Sequence, residues 1–383
     1  MERHTNTFAD LQIQERLQRS DNILLKLDGL LDWTPIRNIL SQVDYRNNNH
    51  KGRDCYSPET IIRIFIVQLY YNLSDRQIED HLIFNVLFLN FCRLSLSSPI
   101  PDHSTLCRWR ARLIEFNVYE SLFEEVNNQL EAKGVTIRKG ACIDATFVAS
   151  AARPRRREEI EMIPIEESEL PTISEQNEVI HDASLSSTNE ATSPSTDIVE
   201  RQKKYNIVYT KQESVDPDAI RGKKGRQYCL GYKEMITTNF DGFISGVTTA
   251  PANVAEISLA EASILKARLK PFTPCVGDKA FGTKGFSEFL SKHNLIDFTM
   301  KKRKRNSPND PAIAKRNKML SSVRFVVERT FGFTKLKLGG ARSRYMGLQK
   351  THNSLVMKAI VYNMIRYINL PPRDNYALLP KMS

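Results

Sequence analysis

No stretch of this 383-residue chain reaches the roughly 18 uninterrupted apolar residues of a membrane-spanning helix. The closest approach, Ile61 to Tyr71, is broken by Arg63 and Gln68. The first residues, Met1-Glu-Arg-His-Thr, lack an apolar segment, so a secretory signal is not expected. Cysteine is sparse. The six, at 55, 92, 107, 142, 229 and 275, form no C-x-x-C pair, and their gaps suit neither a zinc finger nor a disulfide framework. These absences argue against an integral membrane protein and a secreted enzyme, and for a reduced, intracellular chain. The seven histidines show no metal-ligand spacing apart from His103-x3-Cys107, which reads as a helix start. There is no internal repeat.

Two further absences coincide. From Glu158 to Glu200 there is no Lys or Arg, and between Phe147 and Tyr205 there is no aromatic residue. The same stretch holds twelve Asp or Glu and is rich in Ser, Thr, Pro and Asn. Such a segment cannot bury enough apolar area to offset its ordering entropy. Residues 155–204 are therefore expected to be an acidic, disordered insertion, either a passive loop or a tethered polyanion competing for a basic face. The whole chain carries +11, so setting those twelve acids aside leaves the rest at +23. An excess of that size points first to nucleic acid as partner and second to an anionic membrane surface.

What is present changes character once along the chain. Before residue 134 the pattern is helical. Ser57-Pro58-Glu59 predicts a helix start, with a capping hydroxyl and Pro at the first helical position. Ser74-Asp-Arg-Gln77 is a capping box, and Asp102-His-Ser-Thr105 is suited to cap a third helix, Leu106 to Phe116. From Val135 the pattern turns to strands: Val135 to Val148, Gln227 to Thr238, and Phe243 to Thr249, with Asn239-Phe-Asp-Gly242 as a hairpin turn. Then come a helix (Glu256 to Leu269), a short strand (Thr273 to Asp278), a helix (Gly285 to Lys292) and a strand (Leu295 to Met300). Two helices follow, about 309–333, expected to be broken, and 348–369. The expected fold is α/β, a mixed sheet with helical cover. The boundaries are 1–133 for a helical N-terminal domain, 134–370 for the sheet-bearing domain, and 371–383 for a tail.

Three acids stand out. Asp144 lies mid-strand in Ala-Cys-Ile-Asp-Ala-Thr, where a carboxylate is costly unless it meets a cation or hydrogen-bond donors. Asp278 ends the strand Cys-Val-Gly-Asp. Glu328 rides a helix whose neighbours Val327 and Phe331 turn it toward the core. Hard divalent cations take oxygen ligands, and three carboxylates suffice to hold two Mg²⁺ with substrate phosphate completing the shells.

These acids sit in motifs that resemble the DDE transposases of bacterial insertion sequences, in the IS-four/IS-five superfamily and nearest the IS-five group. Leu73-Ser-Asp-Arg-Gln-Ile and Leu94-Ser-Leu-Ser-Ser-Pro-Ile-Pro-Asp-His-Ser-Thr resemble that group's N-terminal domain. Ile143-Asp-Ala-Thr resembles its first-Asp motif and Gly277-Asp-Lys-Ala-Phe its second. Val215-Asp-Pro-Asp-Ala, Gly231-Tyr-Lys and Thr249-Ala-Pro-Ala-Asn-Val resemble the stretch between them. Arg324-x3-Glu328-x6-Lys335 resembles the signature around the Glu; a Tyr often found three residues before the Arg is Ser321 here.

The resemblance implies a ribonuclease-H-like catalytic domain interrupted by an insertion. It implies Asp144, Asp278 and Glu328 as the catalytic ligands of two Mg²⁺ or Mn²⁺ ions. Binding of double-stranded element ends and target DNA, cleavage and 3′-OH transfer would follow, in a homodimer or higher assembly, in the bacterial cytoplasm at the nucleoid. The alternative is a catalytically silent descendant acting as a repressor or architectural DNA-binding protein; a nuclease without strand transfer is a further rival. Arg324 and Lys335, one turn before and two turns after Glu328, are positioned to reach phosphate. The run Lys301-Lys302-Arg303-Lys304-Arg305 is a second DNA-contact candidate, against solvated surface as the plainer reading. Arg108 and Arg112 share a helix face and are candidates for the second half of a helix-turn-helix, against simple packing.

Overall fold

The computed structural model describes residues 12–13, 15–17, 19–43, 55–152, 160–164, 205–209, 215–224, 227–302 and 310–370. The first helices are α1 (Ile23–Asp28), α2 (Trp33–Leu40), α3 (Pro58–Tyr70), α4 (Asp75–Phe84), α5 (Val86–Phe91), α6 (His103–Glu115) and α7 (Val118–Ala132). The expected starts of α4 and α6 are present. Ser74 Oγ accepts from Gln77 N at 3.2 Å while Gln77 Oε1 accepts from Ser74 N at 2.9 Å, and Asp102 Oδ1 accepts from Thr105 N at 2.6 Å. Pro58 opens α3 as expected, but the Ser57 hydroxyl makes no capping bond.

The sheet holds β1 (Ala141–Ala149), β4 (Ile220–Lys224), β5 (Gln227–Thr238), β6 (Ile244–Pro251), β7 (Pro274–Val276) and β8 (Ile296–Asp297). Its order is β4-β5-β1-β7-β8, with β6 also paired to β5. β5 runs antiparallel to β1, β4 and β6, whereas β7 runs parallel to β1 and β8 parallel to β7. It is a mixed sheet. The helices α8 (Glu256–Ala267), α9 (Lys284–Lys292), α10 (Pro311–Leu336) and α11 (Leu348–Ile368) complete the fold. Gly242, at φ 88°, closes the β5–β6 turn in a conformation that disfavours a side chain.

Side-chain alternation sends β1 to two cores. Cys142, with Ile236 and Val276, joins a cluster that includes Val327, Phe331, Leu355 and Ile360. Ala141, Ile143 and Ala145 join Leu259, Ile264, Phe281, Phe286 and Leu290 on the other face. The first cluster also contains Leu24, Ile61, Leu106 and Val126, so the helical part shares its core with the sheet. Residues 1–152 and 216–383 form one compact unit. The change at 134 is a change of secondary structure, not a break in packing. Asn363 illustrates the join: its Oδ1 accepts from Ile244 N and its Nδ2 donates to Ile244 O and Asn127 Oδ1, each at 2.8 Å.

Residues 153–215 form a second unit, in which β2 (Ile160–Pro164) pairs antiparallel with β3 (Tyr205–Tyr209). Within the expected insertion, 155–204, the described residues are those of β2; residues 155–159 and 165–204, like the tail 371–383, lie outside the described residues.

Three boundaries differ from expectation for physical reasons. β1 begins at Ala141 rather than Val135, because Glu131 Oε1 accepts from Ile137 N and Arg138 N and Gly140 turns the chain at φ 86°. The last strand shortens to Ile296–Asp297, because Asp297 Oδ1 accepts from Thr299 N and Thr299 Oγ1, both at 2.7 Å, and turns the chain away. α10 is unbroken over 26 residues: Asp310 caps it and Ser322 Oγ donates back to Met319 O, so the Ser321-Ser322 pair does not interrupt it.

Candidate active site

Register positions the two aspartates. In the parallel pair β1–β7, Cys142 stands opposite Val276. Asp144 lies two residues beyond Cys142, and Asp278 two residues beyond Val276. Asp144 is still within β1, whereas Asp278 lies just past the end of β7, so both follow the paired residues in the same direction along neighbouring parallel chains. Asp144 has left its face only partly covered, with a side chain 24% exposed. Asp278 is half-buried, and its Oδ1 accepts from Ala280 N at 2.6 Å, which fixes the turn after β7.

Glu328 comes from α10, which packs on β1. Its side chain is 54% exposed: Val327 and Phe331 face the core, but Glu328, a step round the helix from Val327, is not turned inward as expected. Arg324, one helical turn earlier, joins it to the strand. Arg324 Nη2 lies 3.4 Å from Asp144 Oδ2 and 3.7 Å from Glu328 Oε1. Lys335, two turns after Glu328, is turned inward: its Nζ donates to Thr146 Oγ1 at 2.5 Å and approaches Phe147 O at 3.5 Å. Thr146 lies on the same face of β1 as Asp144. The structure thus brings Asp144, Asp278, Glu328, Arg324 and Lys335 to one region of the sheet. Ser321 is exposed.

Among the described residues, no three His, Cys, Asp or Glu side chains converge closely enough to hold an ion as they stand. The Arg324 guanidinium bridges two of the three carboxylates. The donor set still fits a hard divalent cation, since it consists of carboxylate oxygens alone. A positive group already lies between two of them.

Similarity to known families agrees with this geometry. A family model described as Transposase domain (DUF772) matches residues 11–112. A second, described as Transposase DDE domain, matches residues 173–364, half of the chain. The chain belongs to the DDE transposase family. Within that second match lie Asp278 and Glu328; Asp144 precedes it. No solved structure matches the chain.

Transposases act on DNA, and the remaining candidates of this one fall in different settings. Lys301 and Lys302 are exposed beside β8; Arg303, Lys304 and Arg305 lie outside the described residues. Arg108 is exposed on α6 and donates to Thr105 Oγ1 at 3.1 Å. Arg112 is engaged within the fold, donating to Val43 O at 2.9 Å and lying over the Phe116 ring. α4 and α6 pack on each other, yet α5 and residues 92–102 separate them, where a helix-turn-helix has a turn of about three to four residues. No helix among the described residues is long and apolar enough to cross a membrane.

Sequence reasoning missed one acid. Glu234 on β5 is 4% exposed and opposes Thr146. The criterion that singles out Asp144, an acid inside an apolar strand, applies equally to Tyr-Lys-Glu-Met-Ile. The adjacent Lys233 gave that run a polar look.

Proposed function

We propose that this chain is an active DDE transposase: it binds the ends of its element, cleaves them by metal-dependent hydrolysis and joins the 3′-OH ends to target DNA. The observation that carries the reading is Asp144 within β1 and Asp278 just past the end of the neighbouring β7, with Glu328 linked to Asp144 through Arg324. Those three carboxylates would hold two divalent ions, which when bound supply an activated oxygen nucleophile and stabilise the leaving 3′-oxygen. Arg324 and Lys335 supply fixed positive charge beside the scissile phosphate. The strand order, antiparallel on one side of β1 and parallel on the other, supports a ribonuclease-H-like description of the sheet. Lys301 and Lys302 extend the cationic surface. In our reading the helical part, residues 1–133, contributes end binding and assembly, and two copies act together on paired ends.

The test is cleavage of DNA spanning the junctions that flank the chain's own gene, with Mg²⁺ present. Asp144→Asn, Asp278→Asn and Glu328→Gln are each expected to abolish cleavage while gel-shift affinity for the ends stays within a few-fold. A variant that cleaves at the wild-type rate removes its residue from the site.

A further inference from the structure

Glu234 is buried under the same face of the sheet. Its Oε1 is enclosed with no hydrogen-bond partner among the described residues. A carboxylate so placed is costly unless opposite charge is near. Two lysines provide it: Lys358 from α11, 5% exposed, and Lys335 from α10. Burial pushes the Glu234 carboxyl up, and both lysines pull it back down. Burial likewise pushes the Lys358 ammonium down, opposed by Glu234. Both ammonium groups act on Glu234 through their charge, and Thr146, to which Lys335 donates, stands directly opposite Glu234 on β1.

The two lysines are not equivalent. Lys358, on α11, is buried, at 5% exposure. Lys335 rests on Thr146, the residue directly opposite Glu234 and two residues beyond Asp144. Two residues of strand span about 7 Å. We propose that Glu234 is a positioning residue of the cleavage site: its buried carboxylate holds the Lys335 ammonium against the end of β1, beside Asp144. The proposal rests on the transposase reading. Its physical content is preorganisation, since a charge fixed in a poorly solvated place stabilises developing negative charge better than one that must first be gathered from solvent. Without Glu234, Lys335 is released outward along its four-carbon stem.

The experiment separates this from mere support of the fold. Removing Glu234 alone leaves Lys358 buried without a counter-charge, so the series is built on Lys358→Met. In that background Glu234→Gln is expected to lower the single-turnover cleavage rate about tenfold, with end-binding affinity unchanged within about twofold. Once Lys335→Met is also present, Glu234→Gln is expected to change the rate no further. Equal losses with and without Lys335, or no loss at all, overturn the proposal. A second readout needs no cleavage. Competitive acetylation by acetic anhydride, mapped by mass spectrometry, is expected to label Lys335 at least threefold faster in the Glu234→Gln chain, because its ammonium has lost a counter-charge. An unchanged labelling rate overturns the pairing. Absence of wild-type cleavage on every DNA, with faster labelling, refutes the transposase reading and the catalytic half of the proposal, and leaves the pairing established.

Discussion

Arg110 offers a quantitative test of how the helical part is tied to the active-site helix. It is 8% exposed. Its guanidinium donates to Asp75 at 2.8 and 3.1 Å and to Gln68 Oε1 at 3.3 Å, and lies over the rings of Phe65 and Tyr345 at 4.8 and 4.7 Å. Tyr345 belongs to the segment between α10 and α11, where Arg344 donates to Asn72 O at 3.0 Å and to Leu73 O. Replacing Arg110 by Met keeps the volume and removes the charge. Breaking a buried pair by deleting one partner costs about 3–5 kcal/mol. Asp75 retains the bond from Gln68 Nε2 at 2.6 Å and a side chain 29% exposed, which reduces the loss to about 2–3 kcal/mol. Lost ring contacts add about 1 kcal/mol. For a unit of about three hundred residues, with unfolding entropy near 2.1 cal/mol/K per residue, about 3 kcal/mol lowers the midpoint by about 5 °C.

The pH dependence carries a sign. Burial raises the Asp75 carboxyl, and the Arg110 hydrogen bond and charge, with the Gln68 hydrogen bond and the Arg344 charge, more than offset it, so the folded value is below the ordinary one. Wild-type Asp75 therefore contributes stability above the unfolded value near 4, and that contribution is lost as pH falls through the folded value. In Arg110→Met the Gln68 hydrogen bond and the Arg344 charge remain, but the two largest opposing contributions are gone, so the folded value rises and Asp75 contributes less stability at pH 7 than in the wild type. The deficit of the variant is thus expected to shrink between pH 7 and pH 4, in urea melts at fixed temperature. A deficit below about 1 kcal/mol, or one that is flat with pH, refutes the reasoning.

Two further outcomes are expected. Mg²⁺ at about ten times its dissociation constant should stabilise the wild type by about 1.4 kcal/mol, read as a thermal shift, and Asp278→Asn should remove that shift; a shift retained in the variant places the ion elsewhere. Neutralising Lys301 and Lys302 should reduce the slope of log affinity against log salt by about two, and an unchanged slope takes these lysines off the DNA.

Local pattern made most of the elements legible, because each depends on its own residues. The capping box at Ser74, the cap at Asp102 and the Asn239–Gly242 turn all stand as the chain suggests. Asp144 stands out in the sequence as an acid inside an apolar strand, and the structure keeps it within β1. What local pattern cannot carry is pairing. The parallel register that sets β1 beside β7 joins strands more than a hundred residues apart. β4 was missed because Ile-Arg-Gly-Lys-Lys has no apolar alternation; it is a strand because β5 is long enough to pair with both β6 and β4 along one edge. Gly222 permits it, since a Cβ there would stand 2.4 Å from the Phe147 ring. Arg112, a helix-turn-helix candidate weighed against simple packing, donates to Val43 O, a partner 69 residues away that local pattern does not reveal.

In the proposed site, the helical part acts through Glu328. Sheet register alone accounts for Asp144 and Asp278, since β1 and β7 are neighbours. Glu328 is different: its place follows from α10, and α10 is held from two sides. Val327 and Phe331 face the cluster in which Ile236 and Val276 of the sheet meet Leu24, Ile61 and Val126 of the first helices. α11 closes that cluster with Leu355, Val356, Ile360 and Met364, and its Asn363 bonds both β6 and α7. Buried apolar area of this kind is shared rather than divisible, because each side chain loses its partners if the other part is absent. Thr330 Oγ1 lies 3.0 Å from Tyr362 Oη, fixing α10 against α11 two residues from Glu328. The position of the helix carboxylate is therefore a property of the whole unit, with the N-terminal helices acting on it through α11.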